Sequence, residues 1–145
     1  MDNRELERYT TTDRKLRPFF RGVFARNSLP AELLPGAYII NTKNSNRAGE
    51  HWVSLWVNND ASIEFMDPLG KHPRTYGWRY SEPCTHNRQA IQPHQSVLCG
   101  AYCLYFLYYR SRGGSMRDII QSMLPLTSRN DDLVKIFLEA LTRID

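Results

Sequence analysis

A chain of 145 residues is long enough for one domain with a substantial core and too short for two ordinary ones, so residues 1–145 are expected to form a single domain. Hydrophobic residues make up 41% and charged residues 23%, which fits a soluble globular protein, and no stretch has the makeup of a signal peptide or a membrane anchor. The formal net charge of +4 permits contact with nucleic acid without requiring it, while three cysteines, Cys84, Cys99 and Cys103, are too few for a disulfide framework and point to a reducing compartment.

In chain order, residues 1–17 are charged and mixed, and Leu6, Tyr9 and Leu16 predict a loosely docked N-terminal helix. Phe19, Phe20 and Phe24 add aromatic anchors. Pro30, Pro35 and Gly36 then punctuate the chain before residues 37–40, which read as a buried strand. Residues 41–50 are polar throughout and predict a surface loop that delivers the chain to His51.

Residues 51–57 and 62–66 are two short β-prone runs separated by Asn58-Asn59-Asp60-Ala61, a hairpin signal. A turn centred near Asn59 pairs Val57 with Ala61, Leu55 with Ile63, Val53 with Phe65 and His51 with Asp67. Every pair on that face is apolar until the last. A one-residue slip would bury Glu64 and Ser54 instead. His51 and Asp67 thus become neighbours at the open end of the hairpin, where a carboxylate fixes the imidazole tautomer and stabilises the imidazolium. A general base needs that, although surface His–Asp pairs also occur with no such role.

Residues 71–95 are rich in Pro, His, Arg and Tyr and predict a long irregular basic stretch, of the kind that is functional or mobile in compact domains. Within it Tyr76, Trp78, Arg79 and Tyr80 interleave aromatic and basic groups, a pattern that serves nucleic-acid surfaces and, more commonly, the packing of a loop onto a core. His72, His86, His94 and Cys84 lack the spacing of a zinc site.

Residues 92–109 organise the rest. From Val97 to Tyr109 nothing is charged, and a run of that length predicts a buried core helix, short of the roughly 20 residues that span a bilayer. Cys99 lies at its first turn, where unpaired backbone N–H groups and the helix dipole favour a thiolate. Cys103, one turn on, reads as packing. Beyond a stop at residues 111–115, Ser115 with Asp118 makes a capping box, which Ser128 with Asp131 repeats. Leu133, Ile136, Phe137, Ala140, Leu141 and Ile144 give a C-terminal amphipathic helix whose apolar stripe is expected to face the core.

His51-Trp52, Asp67-Pro68-Leu69-Gly70, Gln92 and Cys99-Gly100 occur in an order and spacing that strongly resembles the adenovirus protease (adenain) family, related to the SUMO-specific proteases. The resemblance runs from about Phe19 to the C-terminal helix. It implies an α+β cysteine protease fold, a small mixed sheet packed on a central helix that carries the nucleophile at its N-terminus. By position it implies Cys99 as nucleophile, His51 as general base, Asp67 as the residue orienting His51, and Gln92 as a side-chain donor of the oxyanion hole. Trp52 is expected to pack beside the His51–Cys99 pair.

Two departures stand out. Asp67 replaces the Glu of the adenovirus enzymes, and the chain lacks much of their length. Cys84 corresponds only by region to the cysteine that takes up their peptide activator.

The implied activity is maturation cleavage of viral capsid and core precursor polypeptides in the nucleus and virion. The resemblance implies no cofactor for the chemistry, and activation by DNA or a viral peptide. DNA contact is expected to be weak and electrostatic, through Lys71, Arg74, Arg79 and Arg88 with nearby Arg110, Arg112 and Arg117. An isopeptidase for a ubiquitin-like modifier and a non-enzymatic basic scaffold or DNA-binding protein are the alternatives.

Overall fold

The computed structural model describes residues 1–42 and 51–143. The elements are α1 (Asn3–Thr12), β1 (Phe20–Ala25), β2 (Gly36–Asn41), β3 (Trp52–Val57), β4 (Ile63–Met66), a short 3-10 helix (Pro73–Tyr76), β5 (Cys84–His86), α2 (Cys99–Ser111), α3 (Met116–Gln121) and α4 (Arg129–Arg143). The expected α+β class holds. Five strands form one sheet in chain order, with β1–β2 and β4–β5 parallel and β2–β3 and β3–β4 antiparallel.

Strand alternation sorts the core into two layers. Ala37, Ile39, Trp52, Trp56 and Met66 pack with α2, while Tyr38, Ile40, Val53, Leu55 and Phe65 face the other way. With the sheet on one side and α3 and α4 on the other, α2 has no solvent face along most of its length, which is why its sequence is apolar all round. Arg110 near its C-terminal end pairs with Glu64 of β4 at 2.8 Å, tying helix to sheet.

The β3–β4 hairpin differs from expectation by two residues. Val57 pairs with Ile63 and Leu55 with Phe65, because residues 58–62 form a wider turn in which Ala61 takes a positive φ of 72°. An even shift leaves every side chain on its predicted face, so His51 and Asp67 remain on one side of the sheet.

Other expectations are corrected. The N-terminal helix is firmly docked: Leu6 and Leu16 are buried, and Asp13 makes a bidentate ion pair with Arg112. Residues 71–95 are not wholly irregular, since they contain the 3-10 helix and edge strand β5. Val97 precedes α2 and is 85% exposed. Ser115 caps α3 as expected by accepting from Asp118 N–H, but Asp131 caps nothing and turns inward. On α4 the buried residues are Asn130 and Val134, with Phe137 and Leu138 packed against the core, whereas Leu133 and Ile136 are exposed. The polar residues 43–50 and Ile144 lie outside the described residues. Among the described residues no helix is long and apolar enough to cross a membrane.

Candidate active site

Each candidate side chain is held by a different element. Asp67 follows β4 and is wholly buried, an arrangement that would cost several kcal/mol for an isolated carboxylate. Four donors offset that cost. His51 Nε2 lies 2.8 Å from Oδ1, Leu69 N–H donates to Oδ1 at 2.9 Å, and Lys71 N–H and the Tyr76 hydroxyl donate to Oδ2 at 3.2 and 2.5 Å. The Asn87 side chain clamps the Asp67 backbone in both directions, accepting from its N–H and donating to its carbonyl.

The Asp67–Gly70 turn serves two site residues. It closes through Gly70 N–H to the Asp67 carbonyl, and the Pro68 carbonyl accepts from the N–H groups of Ile91 and Gln92. Gly70 has φ +70°, and a Cβ there would lie 2.5 Å from the Gln89 carbonyl carbon. Gly70→Ala should therefore lower stability by about 2 kcal/mol or more through strain and overlap with backbone. A urea titration beside an activity assay checks this, with activity expected to fall because the turn places both Asp67 and Gln92.

Cys99 is the first residue of α2, whose N-terminus carries no side-chain cap. Its Sγ accepts from Trp52 N–H at 3.4 Å and is hydrogen-bonded to His51. Since Nε2 is engaged by Asp67, the nitrogen facing the sulfur is Nδ1. Trp52 is buried beside this pair, as expected, and its indole N–H donates to the Met1 carbonyl at 3.1 Å.

The electrostatics favour an ion pair. Burial would lower the His51 pKa, but hydrogen bonds to Asp67 and Cys99 together with their charges outweigh it and push it up to about 9. Burial would raise the Cys99 thiol, yet bonds from His51, Trp52 N–H and Gly100 N–H bring it below its ordinary value. Burial likewise acts to raise Asp67, and the bonds from His51 and Tyr76 hold it below the usual carboxylate range. Cys103, fully buried, is pushed well above an ordinary thiol by desolvation and the nearby Cys99, and burial also raises Cys84. Both shifts run in the direction that favours a thiolate at Cys99 beside an imidazolium at His51.

Gln92 is buried in the segment between the Asp67–Gly70 turn, whose Pro68 carbonyl holds its N–H, and α2. Its Nε2 donates to the Ser96 carbonyl at 2.9 Å, which fixes the amide orientation and leaves a second N–H on that nitrogen. Oε1 is buried without a partner among the described residues. Ser96 Oγ accepts from Leu98 N–H and donates to Asp131, which also accepts from Tyr102. This network bridges the loop before Cys99 to α4. Sequence reasoning singled out none of Tyr102, Asn87 or the Tyr76–Asp67 bond.

His72 and His86 stack edge-on at 4.6 Å, yet among the described residues no group of three or more His, Cys, Asp or Glu is placed to hold a metal. Arg110 and Arg112 are committed to Glu64 and Asp13, which removes them from the expected polyanion surface. Lys71, Arg74, Arg88 and Arg117 are exposed.

The fold and site together define a Cys–His–Asp arrangement on an α+β scaffold, with the Gln92 amide bonded to the loop that leads into Cys99. No family model matches the chain. In sequence it is 30% identical over 107 residues to the Protease of Bovine adenovirus 4, covering 59% of this chain and 53% of that protein. In sequence the chain is thus similar to adenovirus proteases, and it spans about half the length of the curated relatives it matches. Two solved structures share the fold. ChlaDub1 from Chlamydia Trachomatis matches with TM-score 0.50 at 16% identity, over 74% of this chain and 58% of that one. The central domain of the uncharacterized Lpg1148 protein from Legionella pneumophila matches with TM-score 0.51 at 12% identity, over 99% and 97%.

Proposed function

We propose that this chain is a cysteine endopeptidase that cleaves viral precursor polypeptides, acting in the infected-cell nucleus and the virion. The observation that carries this reading is the hydrogen-bonded line Cys99–His51–Asp67 at the uncapped N-terminus of α2. Sequence similarity to adenovirus proteases supports the viral setting.

In this mechanism the Cys99 thiolate attacks the scissile carbonyl carbon, forming a C–S bond. Charge that develops on the carbonyl oxygen is met by the second Gln92 Nε2–H and the Cys99 backbone N–H. Collapse breaks the C–N bond, and His51 delivers its Nδ1 proton to the leaving amine. The imidazole, now neutral, takes a proton from water as its oxygen attacks the thioester. Loss of the acid product regenerates the thiolate and the imidazolium. Asp67 holds the ring through Nε2 in every step.

Cleavage of a peptide library, read by mass spectrometry with Cys99→Ala as control, tests the reading. Internal peptide bonds should be cut by the wild type alone. Release of a ubiquitin-like modifier from lysine without internal cleavage would replace it with an isopeptidase, and no thiol-dependent cleavage would leave a non-enzymatic protein. Gln92→Ala should lower kcat by about 10²–10³, on the order of 3 kcal/mol, with KM little changed. Unchanged turnover with raised KM would make Gln92 a substrate contact.

DNA is proposed as an activator acting through exposed Lys71, Arg74, Arg88 and Arg117, with a viral peptide as the other candidate activator. Affinity should fall log-linearly with salt and show little sequence preference, because phosphate contacts release counterions and carry no base information. Fluorescence anisotropy at graded ionic strength, paired with a cleavage assay, checks this. Equal cleavage with and without DNA would remove DNA from the scheme.

A further inference from the structure

On the sheet face shared by His51 and Asp67 lies a cavity of about 520 Å³ that the proposed chemistry does not use. That volume falls within the range of ligand sites. Its floor is Ile40, Val53 and Phe65 from three successive strands, each almost wholly buried. Tyr76, Trp78 and Tyr80 form one wall, and Arg26, Asn27 and residues 29–31 form the other. The walls are joined where the Tyr80 hydroxyl donates to the Pro30 carbonyl.

Two guanidinium groups line this cavity beside its apolar floor. Arg26 and Arg79 are both exposed, and among the described residues neither is paired with a carboxylate. Arg26 lies against Gly77, which has φ +74°, and a Cβ on that residue would come within 2.6 Å of Arg26 Nη2. The turn thus leaves room for the guanidinium. An apolar floor with cations beside it calls for a ligand that is apolar at one end and anionic at the other.

The cavity also adjoins the catalytic pair. Tyr76 lines it while donating to Asp67 Oδ2, with its ring centroid 5.9 Å from that of His51. Val53 of the floor is two residues from His51 along the chain, about 7 Å at the rise of a strand. Nucleic acid fits less well, since bases need open aromatic faces. Here Trp78 meets Phe65 edge-on at 5.1 Å and Tyr80 at a tilt of 45° with centroids 4.8 Å apart.

We propose that this cavity docks an acidic segment of the polypeptide substrate, a large apolar side chain resting on Ile40, Val53 and Phe65 while a neighbouring carboxylate meets Arg26 and Arg79. Naming the bound peptide a substrate rests on the protease reading; the binding itself does not, and the test separates the two.

The full chain carrying Cys99→Ala is titrated with fluorescein-labelled Gly-Gly-Leu-Asp-Gly-Gly amide and with versions in which Asp becomes Asn or Leu becomes Gly. A fourth peptide ends in Leu with a free carboxylate, which distinguishes an internal acidic residue from a chain end. The Leu-Asp peptide should bind at least tenfold tighter than the Asn, Gly and free-ended versions, and tightest binding of the free-ended peptide would overturn an internal acidic segment in favour of a chain end. Arg26→Ala with Arg79→Ala should abolish that preference, and Arg79→Glu should shift it toward a Leu-Lys peptide. In the active protein the double substitution should lower kcat/KM about tenfold for the Leu-Asp sequence and leave the Leu-Asn sequence unchanged. Equal affinity for the Asp and Asn peptides overturns the proposal, as does a preference that survives the double substitution. So does an oligothymidine that binds in place of the peptide and is lost in the same variant. Selective binding without any cleavage by the wild type would remove the protease reading and leave the docking site standing.

Discussion

Cys99→Ala should abolish peptide cleavage, with a loss of about four to six orders of magnitude in kcat, because no other group in the site can form the thioester. Iodoacetamide should label Cys99 first and leave Cys103 unmodified in the folded chain. Both sulfurs lie on α2, so helix position alone does not separate them. Cys99 is the first residue of the helix, bonded to His51 and two backbone N–H groups, whereas Cys103 is one turn deeper and fully desolvated. The pH dependence of alkylation follows from the same contacts. The lowered Cys99 pKa means that thiolate is present below the ordinary thiol range, and the raised His51 pKa keeps the partner protonated up to about 9. The pair should therefore be reactive across neutral pH, and kcat/KM should decline on the alkaline side as the imidazolium loses its proton near 9. These limbs belong to the coupled pair rather than to either residue. Alkylation that tracks an unperturbed thiol, or that maps to Cys103, would contradict the ion pair.

What was legible in the sequence is what short-range periodicity encodes. The apolar run before Tyr109 specifies a helix buried on all sides. The alternation in residues 51–57 and 63–66 specifies the faces of the hairpin, so a register misplaced by two residues still put His51 and Asp67 on the same side. Period-two patterning cannot distinguish registers that differ by two, and the width of the 58–62 turn decided between them. β5 escaped notice because three residues on a sheet edge carry too little pattern to stand out in a basic stretch.

The contacts that hold the site were illegible for a different reason. Asn87 meets Asp67 across 20 residues and Asp131 meets Ser96 across 35, and each partner alone is an ordinary polar residue. Arg110 and Arg112 show the same limit from the other side. Counted as charges they suggested a polyanion surface, but Glu64 and Asp13 already use them, and only the fold brings those partners near.

Asp67→Asn should lower kcat by about 10⁴, by analogy with loss of the orienting carboxylate in a catalytic triad. The amide is nearly the same size, so packing is preserved, but its NH₂ can donate to His51 Nε2 and would then hold the ring in the wrong tautomer. It also loses the charge that keeps His51 protonated, so the alkaline limb near 9 should move toward neutral pH. The four donors on Asp67 make the substitution costly in a second way. Two of them, Lys71 N–H and the Tyr76 hydroxyl, converge on Oδ2, and an NH₂ at that position accepts from neither. Turning the amide over leaves Leu69 N–H facing a donor instead. A loss of about 1–3 kcal/mol in stability is expected from the stranded donor. Its pH dependence has a definite sign. The folded pKa of Asp67 lies below its unfolded value, so its contribution to stability is present above the ordinary carboxylate pKa and is lost as pH falls through the depressed folded value. The gap between wild type and Asp67→Asn should thus be widest at neutral pH and close in acid. Tyr76→Phe separates the two effects, because it removes one donor and keeps the carboxylate charge. It should cost a fraction of the activity that Asp67→Asn costs and leave the alkaline limb in place. Urea unfolding at graded pH, alongside pH–rate profiles of both variants, reads each effect. An Asp67→Asn variant with wild-type turnover would show that His51 is oriented without its carboxylate.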